Sequence, residues 1–268
     1  MSDVLGTVDY DIADAIATIT IDNPTRRNAM TYPMIEQLYH GLRTAAADEA
    51  CGAIILTGAA DTFCAGIDMT FLAAIPPDQR GIRVPVTDRD GRWNIVACPK
   101  PVIAAIDGAA VGMGAEWTSH CDIRIATDRA RFSWNFAQRG LVPDTGAGSW
   151  LLPRQIGLQP ALDLLYSGDW LSAQDALALG YVHSVVAPDM LIDTARAHAR
   201  RYLTGSPHAH AATKRLVYDG LGRSIAEHQF VSREELQIAF RSADHAEGLA
   251  AFTERRPPRF RTATAADA

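Results

Sequence analysis

Two segments rich in small residues have the composition that main-chain hydrogen-bond donors need in order to reach a bound oxygen atom. The first, residues 62–68, reads TFCAGID, and the second, residues 108–116, reads GAAVGMGAE. Each follows an apolar run that predicts a buried strand, and small residues there leave the main-chain N–H groups unobstructed. A helix that begins at such a turn adds the positive end of its dipole. If these two segments, the first and second elbows, met at one oxygen atom, they would stabilise an oxyanion.

Each elbow alone has other interpretations. Glycines between a strand and a helix also bind the pyrophosphate of a dinucleotide, but Trp117 stands where the second elbow would need a third glycine. Glycines can also serve only to let a helix pack closely. The presence of two elbows in one chain favours the oxyanion interpretation.

The elements around the elbows predict a parallel α/β arrangement. Apolar runs alternate with helical periodicity, which is typical of strand and helix units that repeat along the chain. We expect strands at 16–21, 52–58, 101–106 and 122–126, helices at 32–48 and 149–156, and a surface loop at 76–93. After Ser206 the pattern is helical, with two or three amphipathic helices over 207–255, and the tail beyond Arg261 is expected to fray.

Length, charge and cysteine usage exclude several classes of protein. The 268 residues are enough for one large core with an appendage, and no apolar run is long enough for a membrane span. The net charge of −6 disfavours nucleic acids and anionic membranes as partners. The four cysteines have no paired spacing, and the N-terminus has no basic segment followed by an apolar one. We therefore expect a cytoplasmic protein.

Five motifs follow one another along the chain: NPTRRNAM (23–30), TFCAGIDM (62–69), KPVIAAIDGAAVGMGAE (100–116), the CDIRIAT strand (121–127) and GLVPDTGAGSWLLPRQIG (140–157). In this order they resemble the crotonase superfamily of enoyl-CoA hydratases and isomerases. The resemblance extends from about residue 10 to 260. It implies a crotonase-like spiral of repeated ββα units over 1–205, followed at 206–268 by a helical region that forms a trimer or a dimer of trimers.

The resemblance also implies an acyl-CoA substrate and the residues that bind it. The thioester oxygen would accept hydrogen bonds from the main-chain N–H groups of Ile67 and Met113. Residues implied to shape the elbows or to contact the substrate and its CoA are Arg26, Arg27, Ala65, Gly66, Asp68, Gly112, Gly114 and Phe136. Coenzyme A is then part of the substrate, and no separate cofactor or metal is expected.

Two carboxylates are candidates for proton transfer. Glu116 follows Met113 by three residues and so shares its helix face, although a glutamate near a helix start is also favoured by the dipole alone. The resemblance implies that a hydratase's second catalytic glutamate falls on Phe136, which cannot hold or deprotonate water. It also implies an acidic catalytic residue at Asp144, whose other interpretation is an ordinary turn residue.

These residues favour isomerisation of an enoyl-CoA double bond through a thioester enolate. Hydration of a 2-enoyl-CoA is the alternative, with Glu116 and Asp144 replacing the usual glutamate pair. A relative that only binds acyl-CoA or RNA would gain nothing from two carboxylates, and an RNA-binding protein would need a basic face.

Other conspicuous groups fit ordinary roles better. The adjacent residues His120, Cys121 and Asp122 would face different directions on a helix, so they are poor ligands for one metal ion. Cys64 has no histidine partner nearby in the sequence, which favours a buried thiol. The arginines at 26 and 27, like those at 255, 256 and 259, are as consistent with solvated charge as with contacts to CoA phosphates.

Overall fold

The computed structural model of the chain describes residues 6–80, 94–143, 145 and 147–260. Its strands form one larger and one smaller sheet. In chain order they are β1 (Thr7–Ala13), β2 (Ile16–Asp22), β3 (Ala53–Gly58), β4 (Val102–Ile106), β5 (Ala109–Val111), β6 (Ile123–Thr127), β7 (Arg131–Ser133), β8 (Leu171–Ser172) and β9 (Ser184–Val186). The expected strands at 16–21, 52–58, 101–106 and 122–126 thus correspond to β2, β3, β4 and β6.

The larger sheet has the order β1-β2-β3-β4-β6-β9. β1 pairs antiparallel with β2, and every later pair in this sheet is parallel. The smaller sheet has the order β5-β7-β8, with β5 parallel to β7. The predicted parallel α/β arrangement is therefore confirmed for most of the larger sheet, while the chain begins with an antiparallel pair.

The helices follow the strands as the periodicity predicts. They are α1 (Tyr32–Ala47), α2 (Met69–Ala74), α3 (Asn94–Ala97), α4 (Met113–His120), α5 (Leu152–Ile156), α6 (Leu158–Ser167), α7 (Ala173–Ala178), α8 (Leu191–Tyr202), α9 (Pro207–Gly220), α10 (Ile225–Phe240) and α11 (Ala243–Glu254). The helix expected at 149–156 consists of a π-helical turn, Ala147–Leu151, that continues into α5.

The central strands of the larger sheet, β3 and β4, are buried on both faces, which explains why they are continuous apolar runs. Along β3, Ile54 and Leu56 belong to the core that includes α1, whereas Ile55 belongs to the core that includes α8. The α1 side is closed further by Lys100, whose buried ammonium donates to the Ala45 and Asp48 carbonyl oxygens, both at 2.7 Å.

A unit of two strands and a helix repeats along the chain. β4 lies in the larger sheet, β5 lies in the smaller one, and α4 follows directly. β3 starts a similar unit, in which Cys64 forms a parallel bridge with Ala110 of β5 before α2 begins. These repeats agree with the predicted ββα spiral. They also bring the ends of β3 and β5, and therefore both elbows, next to each other.

From Ser206 to Phe260 the described chain contains helices and no strand, as predicted. The helices expected over 207–255 are α9, α10 and α11, and α10 buries none of its 16 residues. Most of the loop predicted at 76–93 and the tail beyond Arg261 lie outside the described residues. No helix within the described ranges is both long and apolar enough to cross a membrane.

Candidate active site

The first elbow is held by the segment that precedes α1. The Met30 N–H donates to the Gly66 carbonyl oxygen at 2.8 Å, and the Asp68 N–H donates to the Met30 carbonyl oxygen at 2.8 Å. The Asp68 carboxylate then caps α2 by accepting from the main-chain N–H groups of Thr70 and Phe71. This pairing uses the residues on both sides of Ile67 and leaves the Ile67 N–H unpaired within the described residues.

The second elbow turns at Gly112 and starts α4 at Met113. Gly112 has φ +54° and ψ −120°, a conformation that residues with a side chain rarely adopt. Its N–H donates to the Ser133 carbonyl oxygen at 2.8 Å, which ties the turn to β7. Because Met113 is the first helical residue, its N–H has no partner inside the helix, and none elsewhere in the described parts of the chain.

Gly66 is the point where the two elbows adjoin. A methyl group at Gly66, which has φ +89°, would lie 2.8 Å from the Val111 carbonyl oxygen and 3.7 Å from the Met113 nitrogen. A side chain there would thus be strained and would collide with the second elbow. The two elbows are therefore in direct contact at Gly66. An oxyanion hole requires unpaired main-chain N–H groups on two such neighbouring segments.

A pocket of about 470 Å³ opens at these donors. Gly66, Ile67, Gly112 and Met113 all line it, and so do Ala65 and Phe136. Its wall is mainly apolar, and sequence reasoning missed most of it, because the contributing residues are far apart in the chain. The residues added by the structure are Tyr32, Met69, Leu72, Arg80, Val111, Asn135, Arg139, Leu141 and Val142.

Glu116 has no exposed surface, and its carboxylate is bound by the loop before α5. The Thr145 N–H and hydroxyl donate to Oε2 at 2.8 and 2.5 Å, and the Gly148 N–H donates to Oε1 at 2.7 Å. Glu116 is not among the described residues that line the pocket. Thr145 and Gly148 were missed as its partners, and Asp144, the other predicted carboxylate, lies outside the described residues.

The two arginines of the first motif meet the first elbow from outside the pocket. Arg26 donates to the Thr70 hydroxyl at 3.3 Å and lies 3.9 Å from the Asp68 carboxylate. The Arg27 carbonyl oxygen accepts from the Ala65 N–H at 3.1 Å. Both arginine side chains are exposed, so they remain open to a charged group outside the pocket.

At the C-terminal end, Arg256 is committed to partners within the chain. It pairs with Glu247 at 2.6 Å and with Glu254 at 2.5 Å. The bond from Arg256 holds the pKa of Glu247 down at about 2, with help from the Arg259 N–H. Among the three C-terminal arginines considered as phosphate contacts, Arg256 is the one that would have to exchange these bonds for a phosphate.

Two buried titratable groups near the elbows, Cys64 and His120, are held in their neutral forms. Burial raises the pKa of the Cys64 thiol to about 12 and lowers the pKa of His120 to about 3. Asp122 instead pairs with Lys214 at 2.8 Å. In the described ranges no three His, Cys, Asp or Glu side chains group as metal ligands.

A second pocket of about 420 Å³ lies beside α9 and is lined by Tyr202, Val217 and Tyr218 with the Lys214–Asp122 pair. None of the elbow residues lines it. The pocket at the elbows is the better candidate for an active site, because it combines apolar walls with the unpaired donors.

Comparisons with known proteins identify the family to which the chain belongs. The family model described as enoyl-CoA hydratase/isomerase matches residues 11–263. The chain is 34% identical over 253 residues to the 1,2-epoxyphenylacetyl-CoA isomerase of Escherichia coli strain K12, covering 93% of this chain and 96% of the relative. It is also 34% identical over 260 residues to a probable enoyl-CoA hydratase of Rhodobacter capsulatus, covering 95% and 97%.

Solved structures of enoyl-CoA hydratases have folds similar to that of this chain. An enoyl-CoA hydratase from Bacillus anthracis superposes with a TM-score of 0.87 at 29% identity, covering 95% of this chain and 99% of that one. The enoyl-CoA hydratase from Mycobacterium tuberculosis H37Rv superposes with a TM-score of 0.84 at 32% identity, covering 94% of this chain and 98% of that one. The match along nearly the whole chain, together with the paired elbows, shows that this protein is an enzyme of the enoyl-CoA hydratase/isomerase family.

Proposed function

We propose that this enzyme moves the double bond of an enoyl-CoA through a thioester enolate. The observation that carries the proposal is the pair of unpaired N–H groups, Ile67 and Met113, which open on an apolar pocket with Phe136 in its wall. An oxygen bound by both donors gains negative charge as a proton leaves the α-carbon. Each well-placed donor of this kind is typically worth about 10²–10³ in rate.

The reaction needs one carboxylate that accepts and returns a proton. In a 3-enoyl-CoA, the Asp144 carboxylate takes the proton from C2, and the electrons of that C–H bond form the enolate. The C3–C4 double bond then shifts to C2–C3 as the same proton is returned to C4. Asp144 is proposed for this role on the sequence motif, and a partly desolvated carboxylate would suit proton exchange.

Hydration of a 2-enoyl-CoA is the second candidate, and the names of several relatives favour it. It requires a group that holds and deprotonates water close to C3. Phe136 cannot do so, which leaves Glu116 and Asp144. Because Glu116 already accepts three hydrogen bonds from the loop, it is a poor candidate for activating water.

Two pairs of variants test the proposal. Met113→Pro removes the N–H at the first helical position, where proline is well tolerated, while Met113→Ala keeps it. We expect Met113→Pro to lose about 10²–10³ in kcat and Met113→Ala to stay within a few-fold of the wild type. Equal activities would exclude the Met113 N–H as an oxyanion donor.

The second pair separates isomerisation from hydration. Asp144→Asn should lose far more isomerase activity than binding affinity, because the amide keeps the shape but cannot accept the proton. Glu116→Gln should affect isomerisation less and any residual hydration more. Both variants are assayed with a 3-enoyl-CoA and a 2-enoyl-CoA, following double-bond migration and 3-hydroxyacyl-CoA formation separately. Efficient wild-type hydration, with isomerisation intact in Asp144→Asn, would favour the hydratase instead.

A further inference from the structure

The Glu116 carboxylate links α4 to the loop before α5. Its Oε2 accepts from the Thr145 N–H and hydroxyl, and its Oε1 accepts from the Gly148 N–H at 2.7 Å. Gly148 leaves no spare room, since a methyl group on it would lie 2.7 Å from Oε1 and 2.9 Å from Pro143 Cβ. Both carboxylate oxygens are thus bound from the same loop, and the Glu116 side chain itself has no exposed surface.

These bonds favour one role for Glu116 over another. Hydrogen bonds to a carboxylate stabilise its ionised form and direct its lone pairs toward the donors. A carboxylate that takes a proton from carbon must give up part of that stabilisation. Glu116 does not line the pocket in the described parts of the chain, so its present geometry serves the loop rather than a bound acyl group.

The two ends of this link are both next to groups that matter for the reaction. On α4, Glu116 lies one turn after Met113, whose N–H is a candidate oxyanion donor. In the loop sequence, Thr145 directly follows Asp144, and Leu141 and Val142 before it line the pocket. A bond between Glu116 and Thr145 therefore sets the distance between the donor end of α4 and the loop.

We propose that Glu116 is a positioning residue, which fixes the loop at Thr145 and Gly148 relative to the Met113 N–H and does not itself transfer the proton. The inference rests on the proposed function, because it leaves proton transfer to Asp144. If Glu116 acts only through this link, then breaking the link from either side has the same consequence for turnover.

The test is a double-mutant cycle on the full-length enzyme with a 3-enoyl-CoA. Thr145→Val removes the hydroxyl donor, Thr145→Ser keeps it, and Glu116→Gln removes the carboxylate. We expect Thr145→Val and Glu116→Gln each to lower kcat about 10- to 100-fold with KM within about threefold, and Thr145→Ser to stay near the wild type. The kcat of the double variant Thr145→Val/Glu116→Gln should be only a few-fold lower than that of the less active single variant, because both changes break the same link.

The pH profile of kcat/KM separates positioning from proton transfer. If Glu116 were the base, loss of the Thr145 hydroxyl would move the acidic limb to higher pH, and Glu116→Gln would abolish turnover in either background. A positioning role leaves the acidic limb of Thr145→Val unmoved. A shifted limb, or a Thr145→Val variant with wild-type kcat beside an inactive Glu116→Gln, would overturn the proposal. If Glu116→Gln does not fold, the pH profiles of kcat/KM for Thr145→Val and Thr145→Ser still distinguish positioning from proton transfer.

Asp144→Asn, measured in the same assay, keeps the two proposals distinct. Wild-type isomerisation in Asp144→Asn would refute the proposed function, whatever the cycle between Glu116 and Thr145 gives. Strong loss in Asp144→Asn with additive effects at Glu116 and Thr145 would instead refute the positioning role alone.

Discussion

Gly114 in the first turn of α4 rests directly on Cys64 of the first elbow. A methyl group on Gly114 would collide with the Cys64 carbonyl oxygen and would lie 2.8 Å from its Cβ. The same stretch of Cys64 pairs with β5, since its N–H donates to Ala109 and its carbonyl oxygen accepts from Val111. The separation of the two elbows is therefore set by the close contact of Gly114 with the main chain and Cβ of Cys64.

Gly114→Ala should push the elbows apart and disable both candidate donors. We expect a loss of at least about 10²-fold in kcat, because a displaced donor no longer reaches the oxygen. Overpacking should also lower the free energy of unfolding by about 1–3 kcal/mol. Gly222→Ala is the matched control, because no atom of the described residues lies within 4 Å of the added methyl group. Activity assays and urea unfolding of the two variants check this, and an active Gly114→Ala enzyme would contradict the contact.

Buried His120 should make the protein less stable in mild acid. Burial lowers the pKa of His120 to about 3. Between pH 6.5 and 3 the imidazole is therefore protonated in the unfolded chain and neutral in the folded protein. His120 therefore does not reduce the free energy of unfolding above about pH 6.5. As the pH drops below that value, the free energy of unfolding decreases, by about 2 kcal/mol at pH 5. Urea unfolding at pH 7, 6 and 5 measures this loss.

The His120→Gln variant isolates that contribution, because glutamine does not titrate in this range. The variant should lose less stability than the wild type between pH 7 and 5, whatever its stability at pH 7. Parallel stability curves for the two proteins would mean that His120 takes up a proton in the folded state.

The C-terminal helices should associate with copies of the same chain. α10 buries none of its 16 residues, yet it exposes Ile225 and Phe230, and α11 leaves Phe252 83% exposed. Since most helix stability in proteins comes from tertiary packing, such a helix needs a further partner. Closed symmetry is the usual solution, and we expect a trimer or a dimer of trimers.

Light scattering of three charge variants checks this expectation. Phe230→Glu and Phe252→Glu should shift the mass toward the monomer. Leu158→Glu on α6, an equally exposed apolar position, should leave the assembly intact. A wild-type protein that is monomeric at working concentration would rule out the oligomer.

Local sequence patterns predict the elbows well, because strand, turn and helix follow one another within a few residues. Gly66 and Gly112 adopt the positive φ values that their residue type suggested. The smaller sheet could not be predicted, since strands of two or three residues such as β8 are too short to show a period. β1 was also missed, although its seven residues alternate in burial.

The partners of Glu116 could not be predicted because they depend on tertiary packing. Thr145 is 29 residues away along the chain, and nothing in the spacing of the two residues shows that they meet. The sequence identified Glu116 as a candidate for chemistry, and the loop that binds it became visible only in the fold. The role predicted for Asp144 stays a prediction.

The complete burial of Cys64 makes this thiol a chemical probe of local opening at the site. Thiol reagents attack the thiolate, and a thiol that is enclosed in the fold and has a pKa of about 12 reacts only when the surrounding structure opens. The Sγ atom accepts from the Gly66 N–H at 3.3 Å, inside the elbow itself. The alkylation rate of Cys64 therefore reports the local unfolding of the first elbow, and it can be measured without substrate.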